Sequence, residues 1–176
     1  MEPPAAAAAA RHVCIRVPKP GEALRKDYEA CADREAWVRQ RLGADGVYVG
    51  RPKNDGGWFQ SATVKAGSMF ANPFAVGDYP LAEAIERFRA LLELRRSEEA
   101  TAAAVIEQLP PKQRDLARRR FQGGAENPAT GRSVAHLRLD VVGAAFEHGL
   151  QELAGRRLGC FCDEGGPCHA KVLAEA

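Results

Sequence analysis

The stretch LGCFCDEGGPCH at residues 158–169 determines how the rest of the chain is interpreted. Its first five residues are typical of a strand, and Cys160 and Cys162 share one face of such a strand because strand side chains alternate. The proline of the stretch suits the first position of a helix, which tolerates proline best. The stretch therefore predicts a strand, a turn and a closing helix whose first turn contains Cys168 and His169.

The sequence predicts two further strands. Residues 12–17 alternate between apolar and other side chains, and residues 46–50 read GVYVG directly before Arg51. A long, mainly helical segment separates this second strand from the one at 157–162, and such crossovers connect parallel strands. The predicted fold class is therefore α/β, with a small, mostly parallel sheet flanked by helices.

The clearest predicted helix begins near Pro80. Leu81, Ile85, Phe88 and Leu92 recur at helical spacing, which predicts that they form one apolar stripe facing a core. Further helices are predicted over residues 22–42, 98–109, 111–121, 139–153 and 167–175.

The length of 176 residues corresponds to about one domain. Residues 1–10 are Met-Glu-Pro-Pro and six alanines, which predicts a flexible, low-complexity tail. Residues 11–176 are predicted to form a single α/β domain, with a helical insertion at residues 97–138.

The charge balance excludes a strongly basic or acidic protein. The chain has 25 Lys and Arg against 23 Asp and Glu, a net charge of +2. Residues 111–120 concentrate basic side chains and could contact nucleic acid, but a solvated helix face is the favoured interpretation. No apolar run approaches the roughly 18 residues of a membrane span, so none is predicted.

The number and placement of the cysteines indicate a reducing compartment. The chain has 5 cysteines, an odd count, and three of them lie close together near the end. This arrangement favours thiols or a metal site over a disulfide framework. We expect a cytoplasmic location; the alternative is an organelle, a plastid or a mitochondrion, because the N-terminal region contains arginine and little acid.

The C-terminal cluster has three competing interpretations. The first is a zinc site made by Cys160, Cys162, Cys168 and His169, since this donor set fits the Cys3His class. The objection is geometric, because adjacent residues on a helix point about 100° apart. Cys168 and His169 could then bind one ion only with local distortion.

The second interpretation is a ligand or catalytic pocket at the start of the closing helix, where backbone N–H groups favour anions. Cys168 would be the nucleophile or thiolate there, and His169 the acid or base. The third is simple packing, because a buried cysteine such as Cys160 behaves as a small apolar residue.

Two more positions are candidates for ligand binding. Arg51, next to Gly50 at a strand end, could clamp phosphate or carboxylate, and the alternative is a surface salt bridge. Asn72 could bind a ligand through its amide, although an Asn-Pro pair is first a turn former. The predicted pocket lies between these residues and the start of the closing helix.

The quoted motifs resemble an uncharacterised family, the "domain of unknown function" numbered four-three-two-six. The resemblance implies a small α/β domain and implies no activity. Ala71 stands where that family usually has glycine, which departs from the pattern. The matching parts are residues 47–51, 72–74, the helix from Leu81, 158–162 and 167–169.

The predicted function is binding of a small phosphorylated or nucleotide-like ligand near the Cys-His helix start. Whether the chain is an enzyme stays open. The alternative is a non-catalytic accessory subunit of a larger protein or ribonucleoprotein assembly, stapled by zinc.

Overall fold

A computed structural model of the protein describes residues 11–14, 30, 34–51, 67–75, 77–121, 134–160, 162 and 167–176. The predicted tail at residues 1–10 and the start of the helix predicted over 22–42 lie outside these residues. The described strands are β1 (Arg11–Cys14), β2 (Gly46–Tyr48) and β3 (Arg157–Cys160). The described helices are α1 (Arg34–Leu42), α2 (Leu81–Arg96), α3 (Ala102–Gln108), α4 (Pro111–Phe121), α5 (Ala144–Gln151) and α6 (His169–Glu175).

The three described strands form one parallel sheet in the order β1, β3, β2. The last strand of the chain is therefore the central one, with Leu158 level with His12 on one side and Val47 on the other. The prediction of an α/β fold with a small parallel sheet is confirmed. Because all strands run the same way, their carboxyl ends meet at one edge, where open α/β sheets bind ligands.

β2 and β3 are shorter than predicted. β2 ends at Tyr48, although the Val49 N–H still donates to the Gly159 carbonyl at 2.9 Å. β3 ends at Cys160, so Cys162 follows the strand and is not part of it.

Helix α2 supplies much of the core, but with a different face from the predicted one. It buries Ala84, Phe88, Leu91, Leu92 and Arg95. The prediction that Leu81 faces the core was wrong, because Leu81 is 38% exposed. The buried face is rotated relative to the predicted stripe. It includes the charged residue Arg95, which a search for apolar residues at helical spacing does not find.

The segment predicted as an insertion packs into the same core as the sheet. Thr101 caps α3 by accepting a hydrogen bond from the Ala104 N–H at 3.2 Å, and Val105 and Ile106 are buried. Helix α3 ends before the Pro-Pro pair, as predicted, and α4 begins at the second proline. α4 contributes Ala117 to the core. Among the described helices, none has the length and apolar character to cross a bilayer.

Helix α5 begins later than predicted because of a glycine. Gly143 has a φ of 59°, a conformation that favours glycine, and its N–H donates to the Arg95 carbonyl at 2.7 Å. The helix therefore begins at Ala144 and leads, through a turn at Gly155 with a φ of 73°, into β3.

Candidate metal centre

Four side chains converge at the carboxyl end of the central strand. Cys160 is the last residue of β3, and Cys162 follows two residues later. Cys168 precedes α6, and His169 is its first residue. Their donor atoms, three sulfurs and one ring nitrogen, all lie within 4.8 Å of one another. The structure thus brings together the four residues of the predicted zinc site.

The backbone at Cys168 removes the geometric objection to this site. Cys168 was expected inside the first helical turn, but it is the N-cap and has extended angles, φ −146° and ψ 134°. The spacing of about 100° between neighbours applies only to two helical residues. One extended residue before His169 lets both side chains point to the same place, so no distortion of the helix is required.

The three cysteines are thiols in mutual contact. The Sγ atoms of Cys160 and Cys168 are 3.2 Å apart, and the Cys162 N–H donates to the Cys160 Sγ at 3.3 Å. Hydrogen bonds with Cys162 and Cys168, followed by burial, raise the pKa of the Cys160 thiol. For Cys162, the hydrogen bond with Cys160 lowers the pKa, but the one with Cys168 and burial outweigh it and raise the pKa to about 11.

His169 is fixed in one tautomer by its neighbours. Its Nε2 lies 3.1 Å from the carbonyl oxygen of Val49, which can only accept a hydrogen bond. Nε2 therefore carries the ring proton, and Nδ1 presents its lone pair 3.3 Å from the Cys162 Sγ. Phe88 packs edge-on against the ring, with centroids 5.8 Å apart, and limits its rotation.

The cluster lies almost wholly inside the protein. Cys160 is 0% exposed, Cys168 2% and His169 8%, while Cys162 is half-buried. Four protein donors complete a tetrahedral shell, which is typical of structural metal sites, whereas catalytic zinc sites keep one position open.

The separation of the donors fits a zinc ion. Two sulfurs at a Zn–S distance of about 2.3 Å lie about 3.8 Å apart in a tetrahedron. The Sγ atoms of Cys160 and Cys168 are 3.2 Å apart and all four donors lie within 4.8 Å of one another, a range that includes this value.

Helix α6 is held at its far end as well. Glu175 forms an ion pair with Arg89 at 2.6 Å, and the carbonyl oxygen of Ala176 accepts from Arg96 at 3.1 Å. Both arginines belong to α2, against which α6 packs. The cluster is therefore the connection between the sheet and the start of α6, while α2 holds its end.

The predicted ligand-binding residues have different surroundings. Arg51 is exposed three residues after the end of β2, and Gly50 beside it is buried. Asn72 is 8% exposed, and its amide is engaged in the protein: Oδ1 accepts from the Phe74 N–H at 2.8 Å, and Nδ2 donates to the Ala84 carbonyl at 3.3 Å. The structure thus shows Asn72 in the turn-forming role that was its alternative interpretation.

Sequence reasoning missed the carbonyl group of Val49 as part of the site. Val49 and His169 are 120 residues apart in the chain. Every residue has a carbonyl group, so no residue type marks this one in the sequence. Its role follows only from the pairing of β2 with β3, which brings it beside α6.

The fold and the cluster together define a small parallel α/β domain with a Cys3His donor set at the carboxyl edge of its sheet. Residues 32–176 match the family described as Domain of unknown function (DUF4326), and the chain belongs to that family. The match extends beyond the motifs that suggested it and includes residues 97–138. No curated protein and no solved structure matches the chain significantly.

Proposed function

We propose that this domain binds one Zn²⁺ ion through Cys160, Cys162, Cys168 and His169, and that the ion has a structural role. The observation that carries the proposal is the convergence of four donor atoms within 4.8 Å. The histidine tautomer supports it, because the ring nitrogen that faces the sulfurs is the one with the lone pair.

The donor types favour zinc over harder ions. Thiolate and imidazole ligands suit zinc, whereas magnesium and calcium prefer oxygen ligands. A histidine that donates its second ring N–H to a backbone carbonyl is the usual outer-shell arrangement of a metal-binding histidine. The hydrogen bond from His169 Nε2 to the Val49 carbonyl has this arrangement.

The structural role follows from which elements the donors join. Two come from the end of β3 and just beyond it, and two from the start of α6. α6 is seven residues long, and helices this short are marginal without tertiary contacts. A bound ion would fasten its first residue to the central strand, so part of the binding free energy would stabilise the fold.

Elemental analysis of the protein purified without chelator tests the proposal. We expect about one zinc per chain, and less than about a tenth of that would refute it. Cobalt substitution should give the intense ligand-to-metal absorption of a thiolate site. His169→Ala and Cys162→Ser should each weaken metal binding, whereas His148→Ala, at an exposed position on α5, is the matched control and should bind normally.

The small phosphorylated ligand and the accessory-subunit role stay predictions. What supports the ligand is the exposed guanidinium of Arg51 at the carboxyl edge of a parallel sheet. A screen of thermal shifts with nucleotides and inorganic phosphate tests it. No rise in melting temperature with any phosphorylated compound would favour the accessory role, in which the metal serves stability alone.

A further inference from the structure

We infer that Gly50 is a positioning residue for the metal site, because it allows the end of β2 to present the Val49 carbonyl to His169. This inference rests on the proposed zinc site and assigns a role to the glycine of the Gly-Arg strand end. That glycine was predicted to line a ligand pocket. In the structure it lies one residue from a carbonyl group that fixes a candidate metal ligand.

The Val49 carbonyl has a defined direction because the chain on both sides of it is held. The Val49 N–H donates to the Gly159 carbonyl at 2.9 Å, which extends the pairing with β3. On the other side, the Gly50 carbonyl accepts from the Ser68 N–H at 3.0 Å. The peptide group between Val49 and Gly50 therefore has little freedom to turn away from His169.

Tyr48 closes the turn and explains why residue 50 has no side chain. Its hydroxyl donates to the carbonyl of Arg51, so the ring folds back over residue 50. A Cβ atom at Gly50 would lie 2.4 Å from the Tyr48 Oη and 2.6 Å from its Cζ. Both distances are far below van der Waals contact, and the ring is 6% exposed, so it has little space to move.

Any larger residue at position 50 must therefore displace either the Tyr48 ring or the backbone. Displacing the ring breaks its bond to Arg51, and displacing the backbone turns the Val49 carbonyl. Because the buried ring has little space to move, the backbone is the part that yields, and the Nε2–H of His169 then loses its fixed acceptor. Losing such an outer-shell partner typically costs 10- to 100-fold in metal affinity.

The test compares Gly50→Ala with Gly77→Ala, an exposed glycine whose added Cβ would meet nothing within 4 Å. Zinc affinity is measured by competition with a chromophoric chelator. We expect Gly50→Ala to weaken binding at least about tenfold and Gly77→Ala to leave it unchanged. Tyr48→Leu combined with Gly50→Ala should bind zinc more tightly than Gly50→Ala alone, because the obstructing ring is gone.

A spectroscopic measurement separates positioning from general destabilisation. In the zinc-loaded native protein, the Nε2 proton of His169 should give a slowly exchanging imidazole signal in nitrogen-resolved NMR. Gly50→Ala should shift this signal and accelerate its exchange, and Gly77→Ala should not. If Gly50→Ala fails to fold, the native measurement still tests the hydrogen bond from His169 to Val49, and recovery of folding and zinc binding by adding Tyr48→Leu tests the role of Gly50.

The outcomes distinguish the two proposals. A native chain that binds no zinc refutes the metal site itself. A native chain that binds zinc but shows rapid exchange of the His169 Nε2 proton, or a Gly50→Ala variant with unchanged affinity and signal, overturns the role of Gly50 alone.

Discussion

Two buried polar centres of the described residues, Arg95 and the Cys-His cluster, are satisfied in different ways. On α2, the guanidinium of Arg95 is 2% exposed and donates to the carbonyls of Met69, Arg138 and Val141 at 2.9–3.0 Å. It also stacks over the Phe146 ring, 4.0 Å from the centroid. The two terminal nitrogens of Arg95 thus find acceptors in the protein alone, while its buried Nε has no hydrogen-bond partner among the described residues.

The Cys-His cluster is the opposite case. Three sulfurs and a nitrogen lone pair, all potential electron-pair donors to a metal, face one another within 4.8 Å. Such a group is stable as thiols only through weak sulfur hydrogen bonds, whereas a cation would satisfy all four at once. The comparison teaches that burial by itself does not indicate a site; what matters is whether the buried groups complement one another.

Burial has a measurable electrostatic consequence at the arginine. Removal from water lowers the pKa of Arg95 to about 10, and the attraction of Asp140 opposes this shift. The three carbonyl acceptors and the aromatic face compensate part of the lost hydration. Arg95 therefore holds together α2, the segment around Met69 and the approach to α5, without any external ligand.

The largest effect we predict is that of metal removal. Free zinc at 1,000 times its dissociation constant should stabilise the fold by about 4 kcal/mol. For a domain of this size that corresponds to a melting temperature about 8–16 °C higher. Thermal unfolding with and without a strong chelator measures it, and equal melting temperatures would contradict a structural role for the metal.

The next effect concerns the Arg95 centre. Arg95→Leu leaves three buried carbonyls without donors and should destabilise the fold by about 3 kcal/mol, roughly 1 kcal/mol for each carbonyl, measured by urea unfolding. Zinc stoichiometry should not change in the folded variant. Arg119→Leu, at an exposed position on α4, is the matched control and should cost less than about 0.5 kcal/mol. An equally small loss for Arg95→Leu would show that its hydrogen bonds are dispensable.

A smaller effect is expected at Asn72. Asn72→Ala leaves the Phe74 N–H and the Ala84 carbonyl unsatisfied in a buried position, which should cost about 1–3 kcal/mol. Asn72→Asp keeps an acceptor for Phe74 and should lose less than Asn72→Ala. Denaturant unfolding measures both, and a neutral Asn72→Ala would show that these two hydrogen bonds are dispensable for stability.

The smallest effect is predicted for Arg51. Arg51 is exposed, and interactions of exposed charged side chains contribute little, so Arg51→Ala should change stability by less than about 1 kcal/mol. Zinc content should equal that of the native chain. The informative measurement is the thermal shift with inorganic phosphate: a shift in the native protein that Arg51→Ala abolishes would establish the ligand role.

Much of the fold could be predicted from local patterns. Alternation marked the strands, the Pro-Pro pair marked the break between α3 and α4, and the long crossover predicted parallel pairing. The buried face of α2 was harder, because Arg95 lies on it and a charged residue counts against burial in any sequence pattern. Its carbonyl partners come from residues 26 to 46 positions away.

The candidate site was predicted in part. The spacing of the cysteines and the adjacent histidine indicated the donor set, because those residue types at the end of a chain are uncommon by chance. The assumption that the helix already includes Cys168 produced the objection to shared binding. The helix begins at His169, two residues later than predicted, so Cys168 and His169 can point to the same place after all.

The sequence by itself determined which donors are available and that they lie near a strand end and a helix start, since these depend on neighbouring residues. Only the tertiary structure decided that they converge. The pairing of β2 with β3 brings the Val49 carbonyl to His169, and the extended backbone of Cys168 aims adjacent side chains at one point. The first is a contact between residues 120 apart in the chain, and the second depends on the residue at which α6 begins, which sequence patterns place only to within one or two positions.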